Sequence, residues 1–188
     1  MMKIINWFKS LNLPNKLTVI RVLAIPLFLL FLYISRGIFK FLPLLIFVGA
    51  AVTDAIDGYI ARRDNLVSNF GKFMDPLADK LLTASAFIAF VEIGYLSAWV
   101  VVLIISREFL VSGFRTLAAS KGITIAANAW GKMKTVFQMI LIIVILLNHT
   151  GYFGFTNPLI TPLIAITVLL TITSGAVYIN ENIKVITN

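Results

Sequence analysis

Residues 17–35 read LTVIRVLAIPLFLLFLYIS, an apolar run with a single charge, Arg21. A helix rises about 1.5 Å per residue, and about 20 apolar residues cross the ~30 Å hydrocarbon core of a bilayer. Working outward, the chain offers five more runs of this kind, at 41–61, 75–93, 97–119, 131–149 and 157–179. Turn and stop signals separate them: Arg36-Gly37, Asp64-Asn65, Gly94-Tyr95, Lys121-Gly122 and Asn157-Pro158. The expected fold is therefore all-α, a polytopic membrane protein with six transmembrane helices in a single membrane domain over 1–188. Ahead of the first run, Met1 to Leu13 mixes Ile4, Ile5, Trp7, Phe8 and Leu11 with Lys3 and Lys9, the composition of a short amphipathic helix lying in the interface. A signal peptide fits less well, because Pro14, Asn15, Lys16 and Arg21 stand where a small-residue cleavage site would be needed.

The composition agrees. Of 188 residues, 60% are hydrophobic and 13% charged, and the mean hydropathy is +0.97. A soluble domain of this size needs more charge to cover its surface, so a soluble enzyme, a disordered chain and a collagen-like fibre are excluded. With no cysteine, disulfides and thiolate metal sites are excluded too. The net charge of +8 is read as a basic rim facing anionic lipid headgroups, not as a nucleic-acid surface. Its distribution orients the chain. Lys3, Lys9, Lys16, Arg21, Arg62, Arg63, Lys72, Lys121, Lys132, Lys134 and Lys184 fall on one side, against Arg36 and Lys40 on the other. The excess of cations marks the cytoplasmic side, which puts both termini and the basic loops in the cytoplasm of a multi-pass cell-membrane protein.

Charged residues inside membrane segments are costly and point to function. Four of the eight acids, Asp54, Asp57, Asp75 and Asp79, fall in one 26-residue window at the end of the second run and the start of the third. Spacings of three and four put each pair on one face of its helix, and a short connection makes the helices antiparallel neighbours. Carboxylates brought together raise one another's pKa unless cations join them. Two divalent ions would supply the compensating charge, and all-oxygen donors point to Mg²⁺ or Mn²⁺, not Zn²⁺. Salt bridges to neighbouring cations, or a proton or ion pathway, are the other uses of such acids; a proton relay has no need of the paired spacing. Pro76 follows Asp75 at what reads as the first helical position, so Asp75 is expected to cap the helix. Gly58 leaves the backbone bare beside the acids, and Arg62 lies about 7.5 Å along the axis from Asp57, suited to a pyrophosphate.

The string Asp54-x2-Asp57-Gly58-x2-Ala61-Arg62-x8-Gly71-x3-Asp75-x3-Asp79 resembles, without a departure, the signature of the CDP-alcohol phosphotransferase family. The likeness extends to Leu13-Pro14-Asn15-Lys16-Leu17-Thr18 with Arg21, to Asp75-Pro76-Leu77-Ala78-Asp79-Lys80, to Arg107-Glu108 and to Gly131-Lys132-Met133-Lys134-Thr135. These are similar to the bacterial subgroup whose acceptor is sn-glycerol 3-phosphate. The resemblance implies a six-helix homodimer that moves a phosphatidyl group from CDP-diacylglycerol to an alcohol and releases CMP. It implies one metal on Asp54, Asp57 and Asp75 and a second on Asp54, Asp75 and Asp79, with Asp79 also the general base. It implies that Thr18, Arg21, Gly58, Ala61, Arg62 and Ser68 bind CDP-diacylglycerol. Direct attack on phosphorus is the expected course, with an aspartate nucleophile as the alternative.

A phosphorylated acceptor needs its own cations. Arg107 and Arg115 in the fourth run, with Lys132 and Lys134 at the start of the fifth, are the candidates. Glu108, next to Arg107, is expected to point elsewhere and could pair with Arg115 seven residues on. Lys132 and Lys134 cannot share a helix face, and Gln138 continues the polar stripe from Lys134. The lone histidine, His149, reads as interfacial, as do Trp7, Trp99 and Trp130, while Gly113, Gly122 and Gly175 read as packing or helix-end glycines. The competing readings are the same transfer to inositol phosphate, serine or phosphatidylglycerol, and an ion or proton transporter.

Overall fold

The computed structural model describes residues 12–63, 69–123, 125–126, 128–154 and 157–183; for 13–14, 54–55, 57–63, 69–73, 75–76 and 157–158 it describes the backbone alone. The expected interfacial helix over residues 1–13 lies almost wholly outside the described residues. Among the described residues the fold is all helical. The order is α1 Leu13–Ile34, a 3₁₀ turn Gly37–Phe41, α2 Leu42–Arg63, α3 Asn69–Glu92, α4 Ala98–Ser120, α5 Ala129–His149 and α6 Asn157–Asn182.

Three of these helices are long and apolar enough to cross a membrane: Asn15–Ile34, Ala129–His149 and Leu159–Asn182. The other three carry the charges that function would require, Asp54 and Asp57 on α2, Asp75 and Asp79 on α3, and Arg107, Glu108 and Arg115 on α4. Glycines with positive φ stand at the breaks, Gly37 at 55°, Gly94 at 82° and Gly122 at 74°. This left-handed conformation costs an L side chain about 1–2 kcal/mol, and at Gly94 and Gly122 it stops the preceding helix.

One expectation fails. Asp75 does not cap α3, because the helix begins at Asn69 and runs through Pro76. Proline's fixed φ is helical, so the ring costs one backbone bond there without ending the helix. Asp75 and Asp79 are thereby on one continuous helix, four residues apart.

Contacts divide the chain into two units, Met1–Ala86 and Phe87–Asn188. In the first, α1 packs on α2, with Phe28 and Phe47 fully buried and their ring centroids 6.0 Å apart. The face of α1 turned to α2 is polar at one end: Asn15, Thr18 and Arg21, three residues apart, are all buried. Ile20, Leu23, Leu27 and Leu30 are about half exposed. Polar inside and leucine outside is the arrangement of a helix in lipid, where apolar surface gains nothing by leaving the solvent. The Arg21 guanidinium donates through Nε to the Ala50 carbonyl, 3.3 Å away.

In the second unit α6 packs against both α4 and α5. Leu141, Ile142, Ile145 and Leu146 of α5 and Val101, Ile104 and Val111 of α4 form its core. Along α6 a buried stripe of Thr167, Thr171, Ser174 and Tyr178 recurs at helical spacing, while Leu159, Leu169 and Ile172 are exposed. The Thr and Ser hydroxyls donate to carbonyls of their own helix, Thr167 to Leu163 at 2.7 Å, Thr171 to Thr167 at 2.7 Å and Ser174 to Thr171 at 3.1 Å. Asn128 caps α5, its side-chain oxygen accepting from the Gly131 N–H at 2.8 Å, a contact worth about 1 kcal/mol.

Candidate active site

The first unit carries the carboxylates. Asp54 and Asp57 lie in the last turns of α2, with Gly58, Ala61 and Arg62 following on the same helix. Asp75 and Asp79 lie in the second and third turns of α3. The Asp79 side chain is exposed, and its backbone carbonyl accepts from the Thr83 hydroxyl at 3.2 Å. Among the described residues no three Asp, Glu or His side chains converge, and Asp54, Asp57 and Asp75 are described by backbone alone. The donor set is nonetheless chemically suited to a hard divalent cation, being all carboxylate on two consecutive helices. Thr18 and Arg21, fully buried on α1, face α2, and Ser68 lies outside the described residues.

The second unit gathers the cations. The Lys134 side chain is 2% exposed and its ammonium donates to the Glu108 carboxylate. Arg107 donates from a terminal nitrogen to the same carboxylate oxygen at 3.3 Å. Glu108 is therefore not turned away from Arg107, nor paired with Arg115. A buried ammonium on α5 requires a counter-ion, and Glu108 supplies a carboxylate. Once Glu108 is drawn there, the long Arg107 side chain folds back onto it. The Arg115 guanidinium instead lies over the Tyr178 ring, 5.7 Å from the centroid, a cation–π contact. Lys132 is exposed, while Gln138, one turn beyond Lys134, is buried on the Lys134 face.

This unit also holds donors that no described residue answers. The Arg107 Nε, the Gln138 Nε2 and the Tyr178 hydroxyl are buried without a hydrogen-bond partner. A buried polar group left unpaired costs about 1–3 kcal/mol, so each of the three is a candidate contact for a ligand. All three can donate, which suits an anion or another acceptor-rich group. Sequence reasoning reached Arg107, Lys134 and Gln138 but missed Glu108 as the hub and Tyr178 altogether. The signal for Tyr178 was available: it extends the Thr167, Thr171, Ser174 stripe by one turn.

Gly175, one turn before Tyr178, is what lets Arg107 pass. A Cβ there would stand 3.2 Å from the Arg107 Cγ. Gly175→Val adds two methyl groups beyond that Cβ, and is expected to displace Arg107 from Glu108 and lower the melting temperature of the detergent-solubilised protein. Thermal unfolding measures this; an unchanged melting temperature would refute the fit.

His149 closes α5 about 22 Å along the helix from Lys134, fifteen residues on, and takes no part in the cluster. It sits edge-on to Tyr95, centroids 6.2 Å apart, and burial pushes the Tyr95 phenol above its usual pKa. Trp99 and Trp130 are exposed.

Paired aspartates on consecutive helices of an all-helical, apolar chain with membrane-length helices fit a membrane enzyme class. The family model described as CDP-alcohol phosphatidyltransferase matches residues 11–173, and the chain belongs to that family. It is 39% identical over 183 residues to the CDP-diacylglycerol–glycerol-3-phosphate 3-phosphatidyltransferase of Bacillus subtilis (strain 168), covering 91% of this chain and 95% of the relative. A protein of the same description from Rickettsia typhi is 41% identical over 140 residues, 74% of this chain and 79% of the relative. A probable phosphatidylglycerophosphate synthase of Mycobacterium tuberculosis is 35% identical over 176 residues, 92% and 82% respectively.

Proposed function

We propose that this protein transfers the phosphatidyl group of CDP-diacylglycerol to sn-glycerol 3-phosphate, forming phosphatidylglycerophosphate and CMP in phospholipid biosynthesis. The observation that carries the acceptor assignment is the set of unanswered donors at Arg107, Gln138 and Tyr178, with Arg107 and Lys134 already gathered on Glu108. Serine lacks the phosphate that this donor set suits, and relatives covering most of the chain are named for glycerol 3-phosphate.

In the reaction the acceptor hydroxyl oxygen bonds to the phosphatidyl phosphorus, the bond from that phosphorus to the CMP oxygen breaks, and Asp79 takes the hydroxyl proton. Two divalent cations, Mg²⁺ or Mn²⁺, held by Asp54, Asp57, Asp75 and Asp79, would polarise the pyrophosphate and offset charge on the departing CMP oxygen. A carboxylate beside metal is a weak base, so Asp79 acts by position. Thr18, Arg21, Gly58, Ala61, Arg62 and Ser68 bind the donor. Arg107, Arg115 and Lys134 meet the acceptor phosphate, with Lys132 at the entrance to α5. The protein is a homodimer in the cell membrane, each copy crossing it six times, with both termini and the site on the cytoplasmic side.

The test is acceptor competition. Purified protein with CDP-diacylglycerol and Mg²⁺ is given glycerol 3-phosphate, inositol phosphate, serine or phosphatidylglycerol in turn, and CMP is measured. Glycerol 3-phosphate is expected to stimulate release at least tenfold over buffer. Stimulation by another alcohol with none by glycerol 3-phosphate would overturn the assignment.

A further inference from the structure

The cations of the second unit are already engaged. The Arg107 and Lys134 side chains both donate to Glu108, so a phosphate arriving there meets a partly neutralised pair. A phosphate monoester has three terminal oxygens, each able to accept more than one hydrogen bond, and needs further donors.

Two neutral side chains meet that need. Gln138 is 5% exposed and its amide nitrogen has no partner. Tyr178 is 2% exposed, and its hydroxyl likewise has none. The other hydroxyls of the α6 stripe satisfy themselves on their own backbone at 2.7–3.1 Å. A tyrosine cannot, because its ring carries the hydroxyl beyond its own helix. Nor is the ring free to turn toward another partner: Phe114 meets it edge-on, centroids 6.3 Å apart at 85°, and Arg115 covers its face at 5.7 Å. The hydroxyl is held buried and unspent on the helix whose Gly175 admits the Arg107 stem.

We infer that Tyr178 and Gln138 are the neutral donors of the acceptor pocket, and that the Tyr178 hydroxyl sets its preference for a phosphorylated acceptor. This rests on the acceptor-site reading above. A site built around a hydrogen bond rejects the ligand that cannot complete it, because the buried group is left unpaired. Glycerol without its phosphate is such a ligand.

Tyr178→Phe keeps the ring, its contact with Phe114 and its cation–π face, and removes only the hydroxyl. Losing a hydrogen bond to a charged group corresponds to about tenfold to a hundredfold in affinity. CMP release with both substrates varied is expected to show the KM for glycerol 3-phosphate raised by that factor. The KM for CDP-diacylglycerol should stay within about twofold, and kcat/KM for glycerol 3-phosphate over glycerol should fall about tenfold or more. Thermal stabilisation of the detergent-solubilised protein by glycerol 3-phosphate should fall with it. Gln138→Leu is the second variant and is expected to move the same way. Lys134→Met separates the two readings. If Lys134→Met raises the acceptor KM and Tyr178→Phe does not, Tyr178 only packs and the inference is overturned while the pocket stands. If neither variant moves the acceptor KM, the acceptor pocket itself is wrong and the inference goes with it. A Tyr178→Phe protein with both KM values raised alike and a lowered melting temperature would show a structural role, and would also overturn it.

Discussion

Asp79→Asn is expected to lower CMP release on the order of 10²–10⁴-fold, the range for loss of a positioned general base, while the protein keeps its melting temperature. The fold should tolerate the change because the side chain is exposed and Asn keeps its size and shape. Asp79 lies inside α3 with its side chain exposed, and the local hydrogen bond from Thr83 goes to its backbone carbonyl at 3.2 Å. Asn is nearly isosteric, and an exposed helix-interior exchange of this kind is worth within about 0.5 kcal/mol. The catalytic loss has two sources that one further measurement separates. If Asp79 is a base and also a metal ligand, Asp79→Asn lowers turnover at saturating Mg²⁺ and raises the Mg²⁺ concentration for half-maximal rate. A base that does not touch metal changes only the first. The same variant tests the transporter reading, under which Asn at this position would stop ion flux in sealed vesicles and leave no CMP release to lose. Near-normal turnover in Asp79→Asn would remove it as the base.

The helices were legible because lipid imposes a length and punishes charge. The run at 17–35 became α1 at Leu13–Ile34 and that at 97–119 became α4 at Ala98–Ser120, the Gly-bearing breaks falling where the sequence put them. The start of α3 was misread at Asp75, since Pro76 resembles a first-turn proline and only the backbone shows that the helix starts at Asn69. The paired spacing of the acids was visible from periodicity alone. The pairing of Glu108 was not. Sequence neighbours on a helix point about 100° apart, so Arg107 and Glu108 read as divergent. What brings them together is Lys134, some 26 residues away on α5, whose burial draws Glu108 across and lets Arg107 follow. A local rule yielded to a long-range counter-ion, which a one-dimensional reading cannot weigh. Tyr178 was missed for another reason: its place one turn beyond the Thr167, Thr171, Ser174 stripe is visible in the sequence, but its burial with an unspent hydroxyl is not.

Lys134→Met is expected to cost both stability and acceptor affinity, and the two losses should come apart. The ammonium is 2% exposed while the Glu108 side chain is 23% exposed. Removing one member of a fully buried pair costs about 3–5 kcal/mol. Here Arg107 stays at 3.3 Å from the orphaned carboxylate, and Glu108 is partly solvated, so a loss of about 2–3 kcal/mol is expected, read as a lowered melting temperature in detergent. Acceptor KM should rise about a hundredfold, since the lost donor is charged. Adding Glu108→Gln then decides what the triad is for. If Lys134 serves the fold alone, removing its counter-ion as well restores stability and the acceptor KM together. If Lys134 serves the acceptor, the double variant regains most of the melting temperature and keeps the raised KM, because the phosphate still lacks its cation. Glu108 then stands as the group that keeps two buried cations tolerable before substrate arrives, and its own removal from the wild-type background should destabilise the protein while strengthening the pull of Arg107 and Lys134 on the acceptor phosphate. A Glu108→Gln protein that is less stable yet binds glycerol 3-phosphate more tightly would establish that trade, and one that is weaker in both would refute it.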